Sequence, residues 1–151
     1  MKRWLPIAIL AAAVGCDAST PPPLASAPAN APPERLRVLH VLVAFRGATR
    51  AADTVTRTQD EAEVLAKEIL ARAKRGEDFK ALMKDYTNDP GEGNYALVNH
   101  GVIPRGPEIK RANFVPGFTK VAWSLAVGEV GLAPYDATES PFGYHVIKRI
   151  E

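Results

Sequence analysis

The sequence contains only one cysteine, Cys16, among its 151 residues. A single thiol cannot form an internal disulfide, a CxxC redox pair or a thiolate metal cluster. The three histidines, His40, His100 and His145, lack the spacing of metal ligands and have no nearby acidic partner. We therefore expect neither a disulfide nor a metal centre, and we expect no cofactor.

The net charge of the sequence is also small. The formal charge is +2, but two of the 19 basic residues are Lys2 and Arg3, and the other 17 balance the 17 acidic residues. Nucleic-acid-binding proteins concentrate Lys and Arg on one surface because the phosphate backbone supplies much of the affinity. The balanced charge and the lack of a basic, aromatic cluster argue against a nucleic-acid partner.

No apolar run is long enough to cross a bilayer, which takes about 20 residues in a helix. Met1-Lys2-Arg3 precedes a short apolar run from Trp4 to Val14, which is the pattern of a secretory signal peptide over residues 1–15. Ala13-Val14-Gly15-Cys16 resembles the bacterial lipobox, whose cysteine receives lipid chains. We therefore predict an exported protein that a lipid on Cys16 holds in the bacterial cell envelope, facing the periplasm. The alternative is an ordinary secretory signal with Cys16 as a free thiol.

Residues 16–34 are rich in proline and alanine, and their only large apolar side chain is Leu24. Such a segment cannot bury a core, and its prolines favour an extended, semi-rigid chain. We interpret it as a tether between the lipidated cysteine and a folded domain at residues 35–151, a length that suits a single domain with one core.

The domain has the periodicities of an α+β fold. Leu36 to Phe45 alternates with apolar residues on both faces, which predicts a central strand. Thr58 and Glu61 form a capping box that begins a helix, and Asp78 and Pro116 fit the starts of two more. Further strands are predicted at 95–98, 130–133 and 144–150. Taken alone, a strand histidine such as His145 is more often a hydrogen-bonded core residue than a catalytic one.

Several short motifs carry a resemblance to a known family. Each is weak alone, but their order is specific: His40-Val41-Leu42-Val43, Gly76-Glu77-Asp78-Phe79, Tyr86-Thr87-Asn88-Asp89-Pro90, Val115-Pro116-Gly117-Phe118, Val127-Gly128-Glu129-Val130 and Pro141-Phe142-Gly143-Tyr144-His145. Together they resemble the parvulin-type peptidyl-prolyl isomerase domain. The resemblance implies four antiparallel strands surrounded by about four short helices, with a groove that binds a peptide through its proline.

The resemblance also assigns roles to individual residues. It implies that His40 and His145 form a hydrogen-bonded pair, that Asp89 faces the prolyl bond, and that Ser140 supports the histidines. Phe114 and Phe118 match the proline pocket, and we add Leu97 and Trp123 to the substrate-binding residues. Without the resemblance, Asp89 before Pro90 would be a turn residue and both phenylalanines would be core.

Two departures from the family pattern qualify these assignments. The usual Gly-Asp-Leu-Gly stretch is replaced by Gly93-Asn94-Tyr95-Ala96-Leu97-Val98, so Tyr95, Leu97 and Val98 all compete for the apolar wall that we give to Leu97. Ala44 stands where the phosphate-reading branch has a lysine, although Arg46 and Arg50 remain in that loop. We therefore expect no dependence on phosphorylation.

The predicted function is that of a monomeric isomerase, acting on proline-containing segments of exported polypeptides to assist their folding. One alternative is a catalytically weak, parvulin-like chaperone or assembly lipoprotein that holds peptides, because the Asn94 to Val98 segment is altered. Another is a structural lipoprotein that binds no proline peptide.

Overall fold

The computed structural model describes residues 31–151, which form one mixed sheet with helices on both faces. The predicted signal peptide, Cys16 and most of the tether lie outside the described residues. The strands are β1 (Arg35–Val43), β2 (Asn94–Val98), β3 (Ile109–Lys110), β4 (Val130–Ala133) and β5 (Tyr144–Arg149). The helices are α1 (Gln59–Lys74), α2 (Phe79–Tyr86) and α3 (Pro116–Ser124), with a 3₁₀ helix at Arg111–Asn113.

The sheet has the strand order β3-β2-β1-β5-β4, which confirms that β1 is central. The pairs β1–β2, β1–β5 and β4–β5 are antiparallel, as predicted. The predicted count of four strands is wrong, since residues 31–151 contain a fifth, β3, which pairs parallel to β2 through Leu97 and Ile109. A two-residue strand is too short to show an alternating pattern, so the long loop after β2 concealed it.

Each face of the sheet buries its own apolar cluster. Leu39, Val41 and Val43 of β1 pack against α1 and α2, in a cluster that includes Ile69 and Leu82. The alternate β1 residues Leu36 and Val38 point to the opposite face and pack with residues of α3, Phe118 and Ala122, and with Leu97 and Ile147. Because side chains alternate along a strand, His40 must share the second face, the one that α3 covers in part.

The predicted helix starts are confirmed. Glu61 N donates to Thr58 Oγ1 at 3.2 Å and Thr58 N donates to Glu61 Oε2 at 2.7 Å, so the capping box of α1 is complete. The Asp78 carboxylate accepts a hydrogen bond from Lys80 N at the start of α2, and Pro116 occupies the first turn of α3. These bonds satisfy amides that have no partner inside the helix.

The ordered contacts of the domain begin slightly before residue 35. The Pro33 carbonyl oxygen accepts hydrogen bonds from Trp123 Nε1 at 3.1 Å and Asn99 Nδ2 at 3.3 Å, and the Glu34 carbonyl accepts from Asn99 N at 2.8 Å. The last residues of the predicted tether are therefore attached to the domain. Among residues 31–151, no helix has the length and apolarity to span a bilayer.

Gly143 sets the close approach of β5 to β1. Its φ is +135°, and a β-carbon at this position would lie 2.4 Å from the Val43 carbonyl oxygen. Only glycine allows both this backbone conformation and this contact. The next residues enter β5, where His145 pairs with Leu42 of β1.

Candidate active site

Two buried imidazoles from neighbouring strands form the floor of the site. His40 of β1 and His145 of β5 are 3% and 4% exposed. His40 Nε2 and His145 Nδ1 lie 2.8 Å apart, and the two rings are nearly parallel with centroids separated by 4.9 Å. The antiparallel pairing of β1 with β5 thus brings the two predicted histidines into hydrogen-bond contact.

This environment keeps His145 neutral at physiological pH. Burial, together with the neighbouring His40, lowers the pKa of His145 from 6.5 to about 3, against a smaller opposing effect of Asp89. A neutral His145 carries one N–H, so its Nδ1 either donates to His40 Nε2 or accepts from it, according to the tautomer. Within residues 31–151, no three His, Cys, Asp or Glu side chains converge to hold a metal ion.

Asp89 lies directly above His40. Its Oδ2 atom is 3.3 Å from His40 Nδ1, and its Oδ1 atom accepts a hydrogen bond from Gly91 N at 3.0 Å. The close approach of His40, with hydrogen bonds from Tyr95 and Gly91, outweighs the effect of burial and holds the pKa of Asp89 well below its usual range. Asp89 is therefore an ionised carboxylate at neutral pH.

Hydrogen bonds attach the loop that carries Asp89 to Leu42 and Ala44, which follow the part of β1 that pairs with β2. Asn88 N donates to the Leu42 carbonyl at 2.8 Å, and Leu42 N donates to Thr87 Oγ1 at 3.1 Å. Asn88 Oδ1 accepts from Ala44 N at 3.1 Å and from Arg57 Nη1 at 2.7 Å. Because these bonds extend the pairing along β1, Asp89 has a fixed position relative to His40.

A groove with aromatic walls adjoins the carboxylate. Phe114 and Phe118 stack with centroids 5.1 Å apart, and Phe118 and His40 pack edge to face, also with centroids 5.1 Å apart. Tyr95 packs against Phe114 with centroids 5.3 Å apart. The groove has a volume of about 510 Å³ and is bounded by these aromatic rings, both histidines and Asp89. The groove therefore places aromatic surfaces beside the carboxylate of Asp89.

Two predicted substrate-binding residues do not reach the groove. Leu97 is fully buried in the core with Phe118. Trp123 donates its Nε1 hydrogen to Pro33, and the Arg111 guanidinium lies 4.5 Å from its ring centroid. Neither residue lines the groove, and their assignment to substrate binding stays a prediction. Each has a structural environment that a linear pattern does not distinguish from a binding site.

Ser140 also differs from its expected contact. Its buried hydroxyl donates to the Gly143 carbonyl at 3.2 Å and not to an imidazole. It therefore stabilises the turn that leads into β5, and affects His145 only through the backbone. Among residues 31–151, His145 Nε2 is buried without a hydrogen-bond partner.

The groove is also lined by Tyr95, one of the candidates for the apolar wall, and by Arg50 and Phe142, which no motif assigned to it. Tyr95 forms the wall that we had given to Leu97, while Arg50 and Phe142 line the side near Leu42. The Arg50 guanidinium lies 5.5 Å from the Phe142 ring centroid. The alternation of β2 places Tyr95 and Leu97 on one face, and only the register with β1 shows that Tyr95 is the one nearer Asp89.

Comparison with known proteins agrees with this arrangement. A family model described as a PPIC-type PPIase domain matches residues 27–151. The foldase protein PrsA of Geobacillus kaustophilus is 38% identical over 87 residues, which are 57% of this chain and 27% of that protein. The chaperone SurA of Chromohalobacter salexigens is 32% identical over 112 residues, 74% of this chain and 21% of that protein. The chain thus spans about a quarter of the length of these curated relatives.

Solved structures show the same fold. The peptidyl-prolyl isomerase ESS1 from Candida albicans aligns with a TM-score of 0.60 at 22% identity, over 78% of this chain and 63% of that one. The solution structure of TbPIN1 aligns with a TM-score of 0.57 at 20% identity, over 78% of this chain and 98% of that one. The resemblance to parvulin-type domains is confirmed, and the chain belongs to the family of PPIC-type peptidyl-prolyl isomerase domains.

Proposed function

We propose that this chain catalyses cis–trans isomerisation of the peptide bond before proline in exported polypeptides, and so assists their folding. The observation that carries the proposal is the ionised Asp89 carboxylate held at the edge of an aromatic groove. The proline ring occupies the space between Phe114, Phe118 and Tyr95. The amide that rotates then lies beside Asp89.

The reaction needs no covalent step. The barrier of roughly 18–20 kcal/mol arises because rotation about the C–N bond destroys its partial double-bond character. A protein that holds the ring still and favours the twisted amide over both planar forms lowers that barrier. The stacked rings of Phe114 and Phe118 exclude water from one side of the bond and restrict the ring.

Asp89 acts on the charge distribution of the amide. In the planar form the carbonyl oxygen carries more negative charge, and in the twisted form the carbonyl resembles that of a ketone. A fixed carboxylate nearby raises the free energy of the polarised planar form more than that of the twisted form. The carboxylate is already desolvated and oriented, so no reorganisation is needed during rotation.

The histidines orient Asp89 rather than transfer protons. His145 is neutral, buried and bonded only to His40 among residues 31–151. His40 presents Nδ1 to Asp89 and Nε2 to His145, so one ring connects the carboxylate to β5. A buried series of polar contacts of this kind restricts the motion of each member, because each side chain packs against the next.

The proposed clients follow from the two named relatives, a foldase and a chaperone. We extend the proposal to the export and anchoring of this chain: residues 1–15 act as a signal peptide, Cys16 carries lipid, and the tether holds a monomeric domain away from the membrane. Labelling with a radioactive fatty acid tests the anchor, since wild type but not Cys16→Ser should incorporate label. Equal labelling of both would contradict it.

The isomerase proposal is tested by the chain from Ala31 to Glu151 and Ala-Xaa-Pro-Phe peptides, with exchange between isomers measured by NMR. We expect acceleration by wild type and a large loss in Asp89→Ala. Asp85→Ala, which removes an exposed carboxylate from α2, is the matched control and should retain activity. No acceleration by the folded wild type would refute the enzyme function.

The same peptides test the alternative functions. A chaperone without turnover would bind them and leave the exchange rate unchanged, whereas a structural lipoprotein would not bind them. Tyr95 favours the enzyme, because its ring supplies the apolar wall of the groove although the 94–98 segment departs from the family pattern.

A further inference from the structure

Tyr95 brings a hydroxyl group to the carboxylate of Asp89. The residue is the second of β2, and its ring packs against Phe114 and, with centroids 6.1 Å apart, against His40. Its Oη atom donates a hydrogen bond to Asp89 Oδ2 at 2.5 Å. The Tyr95 hydroxyl and His40 Nδ1 therefore converge on the same carboxylate oxygen.

The loop after Asp89 leaves space for this hydroxyl. A β-carbon on Gly91 would lie 2.7 Å from Tyr95 Oη and 3.4 Å from Asp89 Oδ1. The amide of Gly91 donates to Asp89 Oδ1, while Tyr95 donates to Oδ2. The carboxylate is held through both of its oxygens, and Gly91 provides both one of the donors and the room for the other.

We propose that Tyr95 is a positioning residue for the isomerisation, whose hydroxyl fixes the Asp89 carboxylate towards the prolyl amide while its ring forms part of the proline pocket. This role rests on the proposed function. A freely rotating carboxylate would spread its charge over several orientations. A carboxylate with one hydrogen-bond donor on each oxygen, and with His40 Nδ1 3.3 Å from Oδ2, presents that charge in one orientation. The hydroxyl acts through Asp89, and it makes no contact with the rotating bond.

The protonation states of Tyr95 and Asp89 support these roles of donor and acceptor. Burial and the adjacent Asp89 raise the pKa of Tyr95 above its usual range, so the phenol keeps its proton and remains a donor at neutral pH. The hydrogen bond from Tyr95 is one of the contacts that hold the pKa of Asp89 low, after the close approach of His40. Loss of the hydroxyl should therefore change both the orientation and the titration of Asp89.

Tyr95→Phe separates the hydroxyl from the ring. We expect kcat/KM of the purified full chain in mild detergent to fall by roughly 10-fold, the loss that one hydrogen bond to a charged group can cause. KM should change by less than about twofold, because the apolar wall remains. Carboxyl ¹³C NMR should show a higher pKa of Asp89 in the variant than in wild type. Tyr86→Phe is the matched control, since it removes a hydroxyl that accepts from Arg72 outside the groove.

A double-mutant cycle tests whether Tyr95 acts through Asp89. In an Asp89→Asn background, with residual exchange measured by NMR, Tyr95→Phe should cause little further loss. Losses that multiply in the double variant would overturn the proposal, as would unchanged kcat/KM and an unchanged Asp89 pKa in Tyr95→Phe. An inactive wild type overturns the proposed function itself, whereas an active wild type with an indifferent Tyr95→Phe overturns only the role of Tyr95.

Discussion

His40 and His145 are 105 residues apart in sequence, and their Nε2 and Nδ1 atoms are joined by a hydrogen bond of 2.8 Å. Each is the buried partner of the other, so neither can be replaced without leaving a polar atom in an apolar environment. The pair thereby connects the first and last strands at the position where Asp89 needs support. This relationship predicts how variants of the two residues combine.

Replacing one histidine of the pair should lower the free energy of unfolding by more than half as much as replacing both. His40→Phe leaves His145 Nδ1 buried and unpaired, so we expect a loss of about 1–3 kcal/mol in the free energy of unfolding and a loss of isomerisation. The double variant His40→Phe/His145→Phe should be more stable than the sum of the single effects, since no buried nitrogen remains. Urea unfolding measures all four proteins, and strictly additive losses would contradict the prediction.

Stability should decrease as the pH falls below about 6.5. The pKa of His145 is about 3 in the folded chain against 6.5 for an ordinary histidine, so between these values the unfolded state binds a proton that the folded state does not. We expect a loss of about 1 kcal/mol between about pH 7.5 and pH 5.5 from this group. Asp89, whose folded pKa is lowered, adds a further loss in stronger acid.

Two histidine variants isolate this effect in urea unfolding at several pH values. His145→Asn keeps a hydrogen-bonding group near the Nδ1 position and should weaken the pH dependence. His100→Asn changes an exposed histidine and should leave that dependence intact. Parallel pH profiles for wild type and His145→Asn would show that His145 is not the responsible group.

Gly143→Ala should be much more damaging than Gly47→Ala. Both glycines have positive φ, +135° and +94°, but only the β-carbon at 143 would meet backbone, 2.4 Å from the Val43 carbonyl oxygen. We expect about 1 kcal/mol for Gly47→Ala from backbone strain alone and at least about 3 kcal/mol for Gly143→Ala. Similar melting temperatures for the two variants would mean that β5 can move away from β1 at little cost.

Variants of Phe114 and Phe118 should differ in whether they lose peptide affinity or stability. Phe118 is 1% exposed in the core, so Phe118→Ala should cost about 3–5 kcal/mol of stability. Phe114 is half-buried at the groove, and Phe114→Ala should weaken binding of a proline peptide several-fold with a smaller loss of stability.

NMR titration with the peptide measures the affinity of these variants. Trp123→Phe serves as a control outside the groove, because it removes the hydrogen bond to Pro33 and should leave affinity unchanged. Weaker binding by Trp123→Phe would place this residue in the substrate site after all.

Local signals in the sequence predicted most of the framework. The alternation from Leu36 to Phe45, the Thr58 capping box and Pro116 at a helix start each depend on neighbouring residues, and each has its predicted counterpart in the structure. The family motifs also identified His40, Asp89 and His145, which the fold brings together within hydrogen-bond range. Their proposed catalytic roles remain predictions.

The features that the sequence did not predict depend on distant residues. Tyr95 and Leu97 share one face of β2, and the choice between them requires the register that pairs Tyr95 with Val38. The attachment of Pro33 depends on Trp123, 90 residues later in the chain. The pairing of β3 with β2 results from the path of a loop, which has no periodic signature.

The position of β5 in the sheet has a consequence for how the chain folds. Residues 144–149 form the last element in sequence, yet they lie between β1 and β4 and supply the only strand neighbour that β4 has among residues 31–151. The pairing of β5 with β1 joins residues that are far apart in sequence, such as Leu42 and His145. Such pairings make folding slow, because the entropy of closing a long loop is lost before the contacts form. Synthesis from the N-terminus therefore produces a chain that cannot complete this sheet, or unite His40 with His145, until residues 144–149 have emerged.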